Sequence, residues 1–280
     1  MLVSASELVL RARKTGTAVA QFNVWNCTML FGVIEALEQA HASAILATGS
    51  AFLPPRELTA FSKMLLEIAA ESALPLAVHW DHAHRVDEVK TARELGFTSV
   101  MIDGSELPLA ENIELTREAK RLLEGSNIAL EGELGYIGRE LGGGATEYCC
   151  TAPCDAERYV AATNADLLAV SIGNAHGAYR AEPKLDYATL EKLRETVPIP
   201  LVLHGGSGIP DEGIARAIRL GIRKINYHTE LCEAASSVGQ GKSYRIACAE
   251  QLRAVREKVL EKLRLVSLGQ QQTLVNHDSK

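Results

Sequence analysis

Short apolar runs of four to six residues alternate with longer segments of helical period along the whole chain. Runs that are apolar at nearly every position read as strands covered on both faces, while the longer segments put polar residues on one side and Ala, Leu, Ile or Val on the other. The pattern predicts strands at Ala18–Asn23, Ala44–Thr48, Leu76–Trp80, Ser99–Asp103, Ile128–Glu133, Leu167–Ser171, Leu201–His204 and Lys224–Tyr227. A capped helix is expected near Ser4–Lys14, and amphipathic segments include Glu57–Glu71, Val86–Leu95, Ala110–Leu123, Ala156–Thr163, Tyr187–Thr196 and Asp211–Leu220. Eight strands alternating with helices point to one α/β domain over residues 1–280, a closed (β/α)8 TIM barrel of the usual ~250-residue size. A doubly wound open sheet is the alternative; the strand count and even spacing favour closure. Ala247–Val266 reads as an extra C-terminal helix and 268–280 as a frayed tail.

Composition narrows the partners. Hydrophobic residues make up 47%, charged residues 23%, and the formal net charge is -6 with both signs interspersed, so no basic field exists to hold a nucleic-acid backbone. No run approaches the ~20 apolar residues that span a bilayer, which predicts no membrane association and a cytoplasmic protein. Six cysteines lie scattered, and Cys149, Cys150 and Cys154 form no C-x-x-C pair, so free thiols are expected.

The chemistry sits where the predicted strands end. The third run, LAVHW, ends in Asp81 and His82; the sixth leads through SIGNAHGAY to His176; the seventh, PLVLHGGSG, ends on His204. In a barrel of this kind the site lies at the C-terminal strand ends. A lone histidine there is more often a hydrogen-bonded core residue, but three at equivalent strand ends can converge on one ion. Three neutral nitrogen ligands with an open fourth position make a catalytic zinc site, and Asp81 beside a ligand is placed for proton transfer. Glycines follow two of the histidines, as His176-Gly177 and His204-Gly205-Gly206-Ser207-Gly208, and expose backbone N–H groups to a phosphate. Asn226 and Thr229 in KINYHTEL add donors at the same corner, which predicts a phosphorylated substrate.

The strings HWDHAHR, MIDGS, EGELGYIG, NAHGAY, LVLHGGSGIP and KINYHTEL, in this order and spacing, resemble the class II ketose-bisphosphate aldolases, from Gln21 through Leu231. The short loops and MIDGS are similar to the tagatose-bisphosphate branch. The resemblance implies Zn2+ on His82, His176 and His204, with Asp81 as the acid/base. It implies a phosphate held by Gly177, Gly205, Ser207, Asn226 and Thr229, often with a monovalent cation (Na+ or K+) nearby. Asp103 and Glu133 match supporting or alternative metal positions, and Asn23 a substrate-contacting residue. The implied reaction is reversible cleavage of a ketose 1,6-bisphosphate, tagatose or fructose, to dihydroxyacetone phosphate and glyceraldehyde 3-phosphate, by a homodimer or homotetramer. Another phosphorylated ketose or deoxysugar is the alternative substrate; a non-catalytic sugar-phosphate-binding subunit would not require Asp81 and all three ligands.

The chain departs from the family at several points. The loop acid that moves the carbon-bound proton in relatives falls on Leu141, leaving Glu140 as the nearest substitute, in a loop that Gly142, Gly143 and Gly144 would let close as a lid. His228 stands where relatives carry Asp or Ala, and Thr48-Gly49-Ser50 ends the second strand; both are expected near the phosphate corner. Trp80 is expected to pack outward against a helix, His79 to be a core or supporting residue, and His84 to lie on the surface. Lys224 is expected to be structural or electrostatic. A distal phosphate would need cations, for which Lys242, Arg245, Arg253 and Arg256 are available without a motif that selects among them.

Overall fold

Runs such as Ala44–Thr48 and Leu167–Val170 are buried at every position, because each strand is covered by the barrel interior on one face and by helices on the other. The computed structural model describes residues 1–139, 149–177, 179 and 183–267. Eight parallel strands close into a barrel: β1 (Val19–Asn23), β2 (Ala44–Thr48), β3 (Leu76–Ala83), β4 (Ser99–Ile102), β5 (Ala129–Leu134), β7 (Leu167–Val170), β9 (Leu201–Leu203) and β10 (Ile222–Tyr227). β1 pairs with both β2 and β10, so no edge is left open. Two short strands, β6 (Gly138–Arg139) and β8 (Ala175–His176), form a separate parallel ladder.

Helices α2 (Cys27–Ala40), α3 (Pro55–Glu71), α4 (Val86–Leu95), α5 (Leu109–Leu122), α6 (Pro153–Thr163), α7 (Tyr187–Thr196) and α8 (Asp211–Arg219) fill the strand connections, and α9 (Thr229–Ser236) follows the last strand. The helix α1 (Ala5–Thr15) packs its buried face, Ala5, Leu8, Val9 and Ala12, against Val19, Ile45, Ala77, Leu167 and Val202. It thereby plugs the N-terminal end of the barrel with apolar side chains.

The apolar pattern names no segment for α2, and the reason is physical. α2 lies between the barrel and α10 (Tyr244–Ser267), burying Met29, Leu30, Val33, Ala36 and Leu37, so its sequence carries little one-sided contrast. The short α9 is likewise unnamed by the pattern, and α10 begins three residues before the expected Ala247. Strand ends shift by a few residues, the largest change being β3, which runs on through Asp81 and His82 to Ala83. Trp80 is 3% exposed and packs edge-on against Phe97. All six cysteines are free thiols. No helix of the described residues is long and apolar enough to cross a membrane.

Candidate metal centre and cleft

Above the apolar plug the barrel interior turns polar. Side chains two apart on one strand share a face, and four strands place such pairs inward: Gln21 and Asn23 on β1, His79 and Asp81 on β3, Glu131 and Glu133 on β5, Lys224 and Asn226 on β10. All eight are buried. The lower members form a contact chain. His79 Nδ1 meets Ser99 Oγ at 2.7 Å, and Glu131 reaches both Lys224 Nζ at 2.7 Å and His204 Nε2 at 2.8 Å.

β3 carries the local distortion that builds the site. His82 has φ +50°, and the register with β4 slips between Trp80 and Ala83. A bulge of this kind re-aims the chain, and the neighbours Asp81 and His82 both line one cleft instead of facing opposite sides. Gly49 makes room for it: a Cβ there would stand 2.3 Å from the Asp81 carbonyl oxygen. Thr48-Gly49-Ser50 therefore supports the β3 side and does not lie at the phosphate corner where it was expected.

His82, His176 and His204 arrive from β3, β8 and the end of β9, with ring centroids 4.9, 5.0 and 5.7 Å apart. Each offers a ring nitrogen within 4.8 Å of the others. His82 Nδ1 lies 2.8 Å from Asp103 Oδ2, and His204 Nε2 2.8 Å from Glu131 Oε1. A carboxylate only accepts, so both of these nitrogens carry hydrogen, which aims His82 Nε2 and His204 Nδ1 into the cleft. Those two nitrogens are 3.2 Å apart. Tetrahedral ligands about 2.05 Å from a zinc ion are separated by roughly 3.3 Å, so this pair is spaced for that ion, with His176 within reach as the third donor. A second group, His82, Asp103 and Glu133, also gathers donor atoms within 4.8 Å.

The electrostatics favour a cation at this point. Burial opposes protonation of His82, yet the charge of Asp81, the hydrogen bond to Asp103 and the charge of Glu133 outweigh it and lift the imidazole to about 10. Burial also opposes ionisation of Asp81, but His82, His204, His79 and Lys224 hold its carboxyl well below the usual range. Burial and the nearby Asp103 push Glu133 well up. Burial, helped by Lys224, drives His79 down to about 3 and keeps it neutral.

Asp81 is fixed from several sides. Gln21 Nε2 donates to its Oδ1 at 3.0 Å, Asn23 Nδ2 to its Oδ2 at 2.7 Å, and Asn226 Nδ2 to Oδ1 at 3.4 Å. Asn23 thus touches the acid directly while also lining the cleft.

The phosphate corner follows the same barrel rim. Gly205 has φ +63°, and a Cβ on it would lie 2.0 Å from the Ala175 carbonyl oxygen, so only glycine lets the loops after β7 and β9 meet so closely. Tyr179 ties them together, donating to Gly205 O at 3.1 Å and accepting from Ala175 N at 2.7 Å, and Asn174 donates to His204 O at 3.1 Å. Ser207 Oγ accepts from the backbone of His228 and Glu230. Gly177, Gly205, Ser207, Asn226 and Thr229 all line a cleft of about 260 Å³ that also contains the three histidines and Asp81.

Of the residues singled out from sequence, Asp81, His82, His176, His204, Asn23, Gly177, Gly205, Ser207, Asn226 and Thr229 come together in this cleft. Asp103 and Glu133 stand behind His82. Glu140, Leu141 and Gly142–Gly144 lie outside the described residues. His79 is wholly buried and His84 exposed. Lys224 is buried in its ion pair with Glu131. Gln21, Glu131, Asn174 and Tyr179 were not found from sequence as site residues. The first two had a signal, since each sits two residues before a chosen polar residue on the same strand; the last two begin and end the string NAHGAY around His176, which marks their loop but not their hydrogen bonds.

Comparisons with known proteins agree with this geometry. The profile of the family described as Fructose-bisphosphate aldolase class-II matches residues 3–270. The chain is 41% identical over 257 residues to the protein YdjI of Escherichia coli K12, covering 89% of this chain and 91% of that one. It is 38% identical over 239 residues to the 6-phospho-5-dehydro-2-deoxy-D-gluconate aldolase of Halalkalibacterium halodurans, covering 83% and 82%. The crystal structure of the YdjI aldolase superimposes with a TM-score of 0.87 at 38% identity, over 95% of this chain and 98% of that one.

Proposed function

The chain belongs to the class-II fructose-bisphosphate aldolase family and is an aldehyde-lyase, and from that premise we propose that it reversibly cleaves the C3–C4 bond of a phosphorylated ketose to dihydroxyacetone phosphate and an aldehyde. The observation that carries this reading is the convergence of His82, His176 and His204 beside Asp81, with the outer nitrogens of His82 and His204 tied to carboxylates. His82, His176 and His204 would hold the zinc, and Asp103 and Glu133, with His82, are the alternative set. When bound, zinc supplies a Lewis acid that stabilises the negative charge developing on the ketose oxygens as the bond breaks.

Asp81 accepts the C4 hydroxyl proton in cleavage and returns it to the aldehyde oxygen in condensation. Gln21 and Asn23 fix the carboxylate, and the hydrogen bonds they donate favour its ionised form, so it begins the cleavage as a base. Ser207 already accepts two backbone N–H groups, which turns its hydroxyl hydrogen outward to donate to the substrate phosphate. Gly177, Gly205, Asn226 and Thr229 complete that anchor, with Na+ or K+ as its proposed companion. Asn23 contacts the substrate beside Asp81, and Glu140 moves the carbon-bound proton.

Tagatose and fructose 1,6-bisphosphate, which would give glyceraldehyde 3-phosphate as the second product, are the first substrates to try. The likeness to a deoxygluconate-phosphate aldolase favours a second reading within the class, another phosphorylated ketose or deoxysugar. Release of dihydroxyacetone phosphate from a panel of phosphorylated ketoses, followed by coupled oxidation of a nicotinamide cofactor, tests both. Turnover of at least one member is expected, and none with any ketose would defeat the proposal.

A further inference from the structure

Three aromatic rings stand together on adjacent strand ends, two of them lining the cleft, and the reaction as described uses none of them. Trp25 follows β1, Phe52 follows β2 and His228 follows β10, and these strands are neighbours in the barrel. The Trp25 and Phe52 rings are parallel within 5° at 5.8 Å, an offset stack. His228 meets both edge-on, at 4.9 Å from Trp25 and 5.1 Å from Phe52. Its backbone is held as well, the N–H donating to Ser207 Oγ and the carbonyl accepting from Leu231 and Cys232. The imidazole is therefore packed against two rings, with its backbone tied, before any ligand arrives.

Its Nε2 is buried and has no hydrogen-bond partner within the protein. A ring nitrogen shut away from water without a partner is costly to maintain, and because His228 lines the cleft, a small turn of its ring brings Nε2 to a ligand that supplies the partner. Phe52 and His228 line the same cleft as Asp81 and the three clustered histidines. The ring of His228 contacts Trp25 and Phe52, after β1 and β2 on the side of Asn23, while its backbone N–H meets Ser207 at the phosphate corner. Asp81 stands between the two sides. A substrate anchored by its phosphate at the corner and presenting its C4 hydroxyl to Asp81 directs the carbons beyond C4 to this wall. Burial lowers the His228 imidazole against the opposing charge of Asp81, so the ring is neutral and can accept from or donate to an uncharged hydroxyl.

We propose that His228, braced by Trp25 and Phe52, is the specificity-determining residue for the aldehyde half of the substrate, its Nε2 hydrogen-bonding a hydroxyl carried by that half while the Phe52 ring packs against the adjoining C–H face. The aldehyde it selects carries a hydroxyl beyond its carbonyl carbon. This rests on the aldolase reading and adds a residue to it. A site built around a hydroxyl rejects the analogue that lacks it, because the buried group is then left unpaired.

The test is condensation of dihydroxyacetone phosphate with two uncharged aldehydes, glyceraldehyde and propanal, by the zinc-loaded wild type and by His228→Phe, His228→Asn and Trp25→Leu. Wild type should favour glyceraldehyde in kcat/KM by about tenfold, the discrimination expected of one neutral hydrogen bond. His228→Phe, which keeps the ring packing, should lose that preference through a raised KM for glyceraldehyde, with propanal turnover held within about threefold. His228→Asn should retain part of the preference, and Trp25→Leu should weaken it by loosening the imidazole. An unchanged ratio in His228→Phe, or an equal fall with both aldehydes, would overturn the assignment while leaving the aldolase reading intact. Absence of condensation by wild type with either aldehyde, together with no cleavage of any ketose phosphate, would instead remove the reading on which it rests.

Discussion

The two ends of the barrel interior are built from opposite materials. At the N-terminal end α1 seals the barrel with Ala5, Leu8, Val9 and Ala12 against Ile45, Leu167 and Val202, a dry apolar contact. A few residues further along the same strands, Gln21, His79, Glu131 and Lys224 are just as buried yet polar, and above them sit Asp81 and the histidines. The lower end gains stability from removing apolar surface from water. The upper end spends part of that stability on buried polar groups, which persist because each is held by a neighbour, as Glu131 is by Lys224 and His204. The plug makes the fold, and the layer above it makes the chemistry, so damage to each should register in a different measurement.

The largest separation is expected for Asp81→Asn. Losing the acid/base should cut kcat by roughly 10²–10⁴-fold, while zinc content and thermal midpoint stay near wild type. A parallel loss of zinc would make Asp81 an organiser of the metal site and blur the contrast. At the other end, Leu167→Ala opens a cavity under α1 and should cost about 2–5 kcal/mol of stability in denaturant titration, with kcat unchanged in the protein that remains folded. If its kcat falls as well, the two ends are not independent. Asp103→Ala removes the carboxylate that orients His82 and should weaken zinc binding about 10–100-fold, read by competition with a chromophoric chelator, with little change in the melting of the metal-free protein. The smallest effect is expected for Ser207→Ala, a rise of about threefold to tenfold in KM for the phosphorylated ketose, with kcat held, as one hydrogen bond to the phosphate is lost.

Much of this contrast is visible in the sequence. Runs such as AILAT and LLAV read as strands covered on both faces, and eight of them evenly spaced with helices between favour the closed barrel over an open sheet. His82, His176 and His204 are legible because each ends or follows such a run, and glycines after two of them mark close backbone approach. What stays hidden has physical causes. α2 loses its amphipathic signature because α10 covers its outer face. The bulge at His82 depends on a left-handed backbone at a non-glycine residue, which no residue type announces. Glu131 orients His204 across the barrel, a contact 73 positions apart in the chain. The stacking of Trp25, Phe52 and His228 needs barrel closure to bring β10 beside β1, so each residue alone reads as an ordinary loop position.

The central claim is that three histidines at the upper end hold a zinc on which cleavage depends. The most direct test is to measure bound zinc and release of dihydroxyacetone phosphate on the same preparation as isolated, after exhaustive chelation, and after zinc is added back, with His204→Ala alongside. The account predicts about one zinc per chain in the isolated protein, activity lost with the metal and restored on its return, and neither in His204→Ala; full activity in the metal-free protein would contradict it.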